Sequence, residues 1–146
     1  MIRVTAVNEA NAEVVWRAHD LMSDEQGLRT TTADIEIVGG DQSLTLLGRV
    51  RTEVLYELAD QLARKAAGGW SVENRLIDDA QLAMRISNKV GADPRTANAD
   101  LRVDVFLGVV RLIGAVQDRQ QREAALELAA SVPGVARVED HTAMAR

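Results

Sequence analysis

The chain of 146 residues has no cysteine, two prolines and four aromatic residues: two tryptophans, one tyrosine and one phenylalanine. Without cysteine there is no disulfide, no thiolate metal ligand and no cysteine nucleophile. With aromatics at 3% and hydrophobic residues at 47%, the core must be aliphatic. Only two histidines occur, His19 and His141, and neither HxH nor HExxH spacing is present, so no metal site is expected. No catalytic residue and no cofactor is expected either. Carboxylates such as Asp34 and Asp100 or Glu57 and Glu123 come in duplicate, which is unlike a single acid–base pair. No apolar run approaches the roughly 18 residues of a spanning helix. The N-terminal segment Met1-Ile2-Arg3-Val4-Thr5-Ala6-Val7-Asn8 lacks the apolar stretch of a secretory signal. A cytoplasmic protein is the expectation.

A strongly basic surface is also missing. The net charge is −5, and residues 1–78 hold 8 Lys/Arg against 13 Asp/Glu, whereas residues 79–146 hold 9 of each. Sequence-independent nucleic-acid binding rests on a basic surface, so nucleic acid is not an expected partner.

What the chain does have is an internal repeat. Displaced by 66 positions, it matches itself without a gap from Thr30, which meets Thr96. Asp34 meets Asp100, and Leu46-Leu47-Gly48-Arg49-Val50 meets Leu112-Ile113-Gly114-Ala115-Val116. Ala59, Leu62, Ala63, Gly68 and Val72 meet Ala125, Leu128, Ala129, Gly134 and Val138. The matches fall on apolar, small and glycine positions, which preserve a fold and not a set of reactive groups. This period is too long for the common solenoids and indicates a duplicated domain, 1–77 and 78–146.

Each copy reads as helix, hairpin, helix, strand. In the second copy Leu82, Ile86 and Val90 recur every four residues behind Asp78-Asp79, and Gly91 with Asp93-Pro94 ends the helix. Leu101, Val103 and Val105 alternate with Arg102, Asp104 and Phe106. A turn at Leu107-Gly108 leads to Val110, Leu112 and Gly114, alternating with Val109, Arg111 and Ile113. Asp118 and Gln121 have capping-box spacing, Ala125, Leu128, Ala129 and Val132 form a helical stripe, and Val135 to Val138 begins a last strand. In the first copy Val14, Ala18 and Met22 mark the first helix, Ile35 and Ile37 the first hairpin strand, and Leu44 and Leu46 the second. Thr52 is the cap of the next helix, and Trp70, Val72 and Leu76 alternate along the last strand. The segment Ile2 to Val7 is a candidate added edge strand. The right-handed crossover rule places the last strand parallel to the second hairpin strand. The expected class is α+β: two αββαβ units, each a three-stranded mixed sheet with two helices on one face.

The stretch from Gly108-Val109-Val110 to Gly114-Ala115-Val116, followed by Val132-Pro133-Gly134-Val135-Ala136-Arg137-Val138, resembles the BON domain of bacterial osmotic-stress and nodulation proteins. The first copy is a degenerate member: it keeps Leu46, Gly48, Val50, Gly68 and Val72 but has Gln42-Ser43-Leu44 for Gly-Val-Val. The resemblance implies a non-enzymatic binding module, peripheral contact with anionic phospholipid and an osmotic-stress role. It also leaves open a cation sensor, as in a potassium-binding cytoplasmic relative.

Two sets of residues are candidates for contact. Arg102, Arg111, Arg119 and Arg122 have Glu36, Thr45, Glu53 and Tyr56 as counterparts, so only the second copy offers these cations to a lipid headgroup. The apolar positions Val38, Leu47, Ile77, Phe106, Val109 and Ile113 point away from the helices. Outward apolar side chains mark an interface, either between repeats or between subunits of a homo-oligomer.

Overall fold

A computed structural model describes residues 1–29 and 33–145; Thr30, the first matched residue of the repeat, lies outside them. The chain divides into two compact units, Met1–Asp78 and Asp79–Arg146.

Unit 1 runs β1 (Ile2–Thr5), α1 (Ala12–Ser23), α2 (Gln26–Arg29), β2 (Ala33–Gly39), β3 (Ser43–Val50), α3 (Glu53–Ala67), β4 (Ser71–Asn74) and β5 (Ile77–Asp78). Unit 2 runs α4 (Asp79–Ala92), β6 (Asp100–Phe106), β7 (Val109–Val116), α5 (Arg119–Ala130) and β8 (Arg137–Met144). Unit 2 is the expected three-stranded mixed sheet, with β6 antiparallel and β8 parallel to β7. Unit 1 departs from three strands in two ways. The candidate edge strand is real: β1 pairs in parallel with β2, Ile2 beside Ile35 and Val4 beside Ile37. Its last strand is broken at Arg75-Leu76, so β4 and β5 pair separately with β3. The break does not change register. Ser43 sits beside Ser71 and Val50 beside Asp78, just as Val109 sits beside Arg137 and Val116 beside Met144.

The matched glycines explain why the middle strands of both units look alike. Gly48 and Gly114 have φ of 122° and 136°, a region that side chains rarely enter. A methyl group at either would collide with the carbonyl oxygen of the neighbouring strand, Asp34 or Asp100. The middle strand can come this close to its partner only without a Cβ.

Alternation then sorts the side chains. Ile35, Ile37, Leu44, Leu46 and Val50 are buried on the helix side of unit 1, and Val105, Val110, Leu112 and Val116 on that of unit 2. The helices lie close because they present alanines: Ala59, Ala63 and Ala66 in α3, and Ala124, Ala125 and Ala129 in α5. In α1 the buried stripe is Val15, Ala18 and Met22; Val14, which the four-residue spacing picked out, is only half-buried, and its neighbour Val15 takes its place. The last strand of unit 2 starts at Arg137, because Pro133 and Gly134 (φ 100°) occupy a turn before it.

Caps recur at equivalent positions, and tethers recur between the same pair of helices from non-equivalent residues. Thr52 accepts from the Leu55 N–H at 3.2 Å and Asp118 from the Gln121 N–H at 2.8 Å; such caps are worth about 1 kcal/mol each. A cation on the first helix also holds the end of the second. Arg17 donates to the Ala66 carbonyl (3.0 Å), where the helix dipole is negative, and Lys89 donates to the Ser131 hydroxyl (2.6 Å).

Two glycine substitutions should move stability in opposite directions. Gly114→Ala is expected to cost about 2 kcal/mol or more, through strain and the carbonyl clash. Gly91→Ala, in α4 with open space around its Cα, should gain up to about 1 kcal/mol. Urea unfolding of both variants checks this, and equal effects would remove the glycine-pinned contact from the account.

Candidate functional site

Helices cover one face of each sheet, so the other face is where outward side chains from neighbouring strands meet. In unit 2 it forms a grid across β6, β7 and β8. Its rungs are Phe106–Val109–Arg137, Asp104–Arg111–Glu139, Arg102–Ile113–His141 and Asp100–Ala115–Ala143.

Glu139 is the electrostatic centre of this grid. Its carboxylate lies 3.0 Å from Arg137, 3.3 Å from Arg111 and 3.4 Å from His141. Hydrogen bonds from Arg137 and then His141 hold its pKa below the usual range. In unit 1 the equivalent pair is Glu73 and Arg75, at 2.7 Å. The neighbouring Asp140 is on the helix side. Its hydrogen bond from the Thr142 hydroxyl, with Arg122 nearby, lowers its pKa also.

The four arginines do not converge. Arg102 and Arg111 stand on the open face. Arg119 and Arg122 belong to α5, on the opposite side. Arg111 is engaged by Glu139, and Arg119 lies 3.7 Å from Glu123 at a highly exposed position. Arg122 ties α5 to β8, with Nε 3.0 Å from the Thr142 hydroxyl and 3.5 Å from Asp140. Arg102 is exposed and has no ion-pair partner among the described residues.

The six apolar positions are likewise distributed. Phe106 and Val109 sit side by side at the hairpin tip, and Ile113 is two rungs away beyond Arg111. In unit 1 Val38 lies opposite Thr45, Leu47 opposite Glu36, and Ile77 beside Arg49. All but one are half-buried; Phe106 is 51% exposed. The tip that presents it is a two-residue turn with positive φ at both Leu107 (44°) and Gly108 (81°), the mirror-image geometry that suits a twisted hairpin. The Leu107 N–H is held by Asp79 at 3.0 Å.

A depression of about 300 Å³ lies where the segment before β6 meets the start of α5. Its polar atoms satisfy one another. Gln121 donates to Asn98 (2.8 Å) and to the Arg95 carbonyl (3.1 Å), and it accepts from the Gln117 N–H (2.8 Å). Asp93 is held below its usual pKa by hydrogen bonds from Arg95. This is a structural network around a capped helix. Elsewhere His19 meets Asp20 at 3.1 Å and Trp16 edge-on at 5.1 Å. Neither imidazole is hydrogen-bonded to a hydroxyl nucleophile among the described residues. Among the described residues no group of three His, Asp or Glu side chains could hold a metal ion, and no helix is long and apolar enough to cross a membrane.

The sequence did not point to Glu139, Arg137 or His141. Their convergence follows from the parallel register of β8 on β7, which places Glu139 beside Arg111; that offset was the signal available.

A family profile of the BON domain matches residues 17–77 and again residues 78–146. The chain belongs to the BON-domain family. Membership of this family supports a non-catalytic binding or interaction module. No curated protein matches the chain. Two solved structures of CdsD, a structural protein of the type III secretion system of Chlamydia trachomatis, share the fold. One aligns with a TM-score of 0.72 and 16% identity over 90% of this chain, and the other, its C-terminal domain, with 0.66 and 15% over 91%. The alignments cover 62% and 66% of those chains, so this chain spans less than two thirds of each.

The carboxylates of unit 2 generate a pH prediction. The folded state holds Glu139, Asp140 and Asp93 below the values of 4.5, 3.8 and 3.8 usual for such groups. Their contribution is complete above that range and is lost as pH falls through the lowered folded values. Thermal melts should therefore decline below about pH 4, and Glu139→Gln should flatten part of that decline. An identical acid profile for the variant would deny Glu139 its central place.

Proposed function

We propose that this BON-domain protein is a non-catalytic interaction module whose contact surface is the open sheet face of unit 2, and that it self-associates through that face. One observation carries the reading: a half-exposed phenylalanine on a tight turn, on a face that carries three arginines and three carboxylates. Arg111, Arg137 and His141 share Glu139, with Asp104 and Asp100 on the same face. Paired charges are cheaper to cover with another protein than isolated ones. They also offer less to an anionic surface. A cation near such a surface is worth about 1 kcal/mol, and the cations on this face with carboxylate partners would have to give those up.

A second reading has its own observation. Arg102, without an ion-pair partner among the described residues, is exposed on a rung of the same face. This exposed cation supports peripheral contact with anionic phospholipid, the role the family resemblance implies.

Sedimentation velocity over a range of concentrations should show self-association of the full chain, and Phe106→Glu should shift it towards monomer without lowering the melting temperature by more than a few degrees. A strict monomer for the unaltered chain at all concentrations sinks this reading. Vesicles rich in phosphatidylserine decide the second. Pull-down at low salt that Arg102→Glu abolishes would put a lipid surface in place of a second copy.

A further inference from the structure

The two units differ at one sheet edge. In unit 1 the outer edge of β2 is covered by β1, and the Ile35 N–H donates to the Met1 carbonyl at 2.9 Å across it. In unit 2 the equivalent strand β6 is the edge of its sheet, with no strand beyond it among the described residues. The consequence shows in burial. Ile35 and Ile37 are completely buried, and Ile2 and Val4 of β1 pack against that core. Their counterparts Leu101 and Val103 remain partly exposed. Beside them, between α4 and β6, is a groove of about 90 Å³ lined by Ser87, Val90, Gly91, Thr96, Leu101 and Val103. It lies on the helix side of the β6 edge, the side on which β1 in unit 1 places its aliphatic side chains.

We propose that the outer edge of Leu101–Asp104 is a strand-addition site for an extended segment of a partner protein, in which aliphatic residues alternate with a carboxylate beside Arg102 and a cation beside Asp104. The occupant runs parallel to β6, as β1 runs parallel to β2. Its backbone bonds to the outward N–H groups of Leu101 and Val103, the counterparts of Ile35 and Ile37. Such augmentation takes affinity from main-chain bonds and specificity from alternate side chains. Charge selects the occupant. In unit 1 Arg3 of β1 stands beside Glu36 and 3.4 Å from Asp34, and Thr5 donates to Glu36 at 3.3 Å. In unit 2 the place of Glu36 is taken by Arg102 and that of Val38 by Asp104. The chain's own Ile2–Thr5 segment would set Arg3 against Arg102, so exchange of that strand between copies is disfavoured.

The test uses the full chain and a fluorescein-labelled synthetic peptide containing Ile-Glu-Val-Lys. Saturable binding is expected, with amide hydrogen exchange at Leu101 and Val103 slowed at least about tenfold. The charge-swapped peptide Ile-Lys-Val-Glu should bind about fivefold more weakly, and Arg102→Glu combined with Asp104→Lys should invert the preference. Val103→Pro removes an outward donor and should abolish binding; if that variant does not fold, the charge inversion still decides. Equal binding of the two peptides, or no protection at these amides, overturns the proposal. So does protection that grows with protein concentration in the absence of peptide, which would make a second copy the occupant.

Discussion

Both units depend on the close approach of two strands at a glycine. Where β3 passes β2, and β7 passes β6, a carbonyl oxygen occupies the space a side chain would need. That contact fixes the hairpin register, and with it which residues face the helices. With Gly48 and Gly114 in place, Leu44, Leu46 and Val50 fall on the core side, as do Val110, Leu112 and Val116. The returning strand then joins the same middle strand in the same parallel register in both units, although one is broken and the other continuous. The alanine faces of α3 and α5 follow, because the crossover helix must lie close to a sheet whose spacing is already set. A one-residue slip would turn every core side chain towards the open face.

The duplication kept this frame and let the outward positions diverge. Rung by rung, Val38 and Thr45 in one unit stand where Asp104 and Arg111 stand in the other, and Glu36 stands where Arg102 does. Backbone geometry restrains the inner positions, whereas only a partner restrains the outer ones. The fold is shared with CdsD at about 15% identity.

Much of this was legible in the sequence, and the boundary has physical causes. Strands and helices announced themselves by periodicity, the caps by Thr52 and Asp118, and the parallel last strand by the handedness of its crossover. The broken strand at Arg75-Leu76 was not legible, because Trp70, Val72 and Leu76 alternate as they would in an unbroken one. The fate of the arginines was hidden for another reason. Arg111 meets Glu139 and Arg122 meets Asp140 only once β8 is laid beside β7, and local pattern carries no trace of a partner so distant along the chain. Alternation and the cap at Asp118 already put Arg102 and Arg111 on the open face and Arg119 and Arg122 on the second helix; only their carboxylate partners were hidden.

The Leu107-Gly108 turn has an effect on the entropy of association. A two-residue hairpin with both positions at positive φ has no slack, and the bond from Asp79 to the Leu107 N–H removes what little remains. Phe106 is held by the ladder on one side of that turn and Val109 on the other. A surface that closes over them meets groups whose backbone is already ordered, so little configurational freedom is surrendered on contact. In unit 1 the corresponding bend, Gly40-Asp41-Gln42, carries no aromatic residue. The duplicated hairpin thus has a plain three-residue bend in one copy and, in the other, a tight turn flanked by Phe106 and Val109.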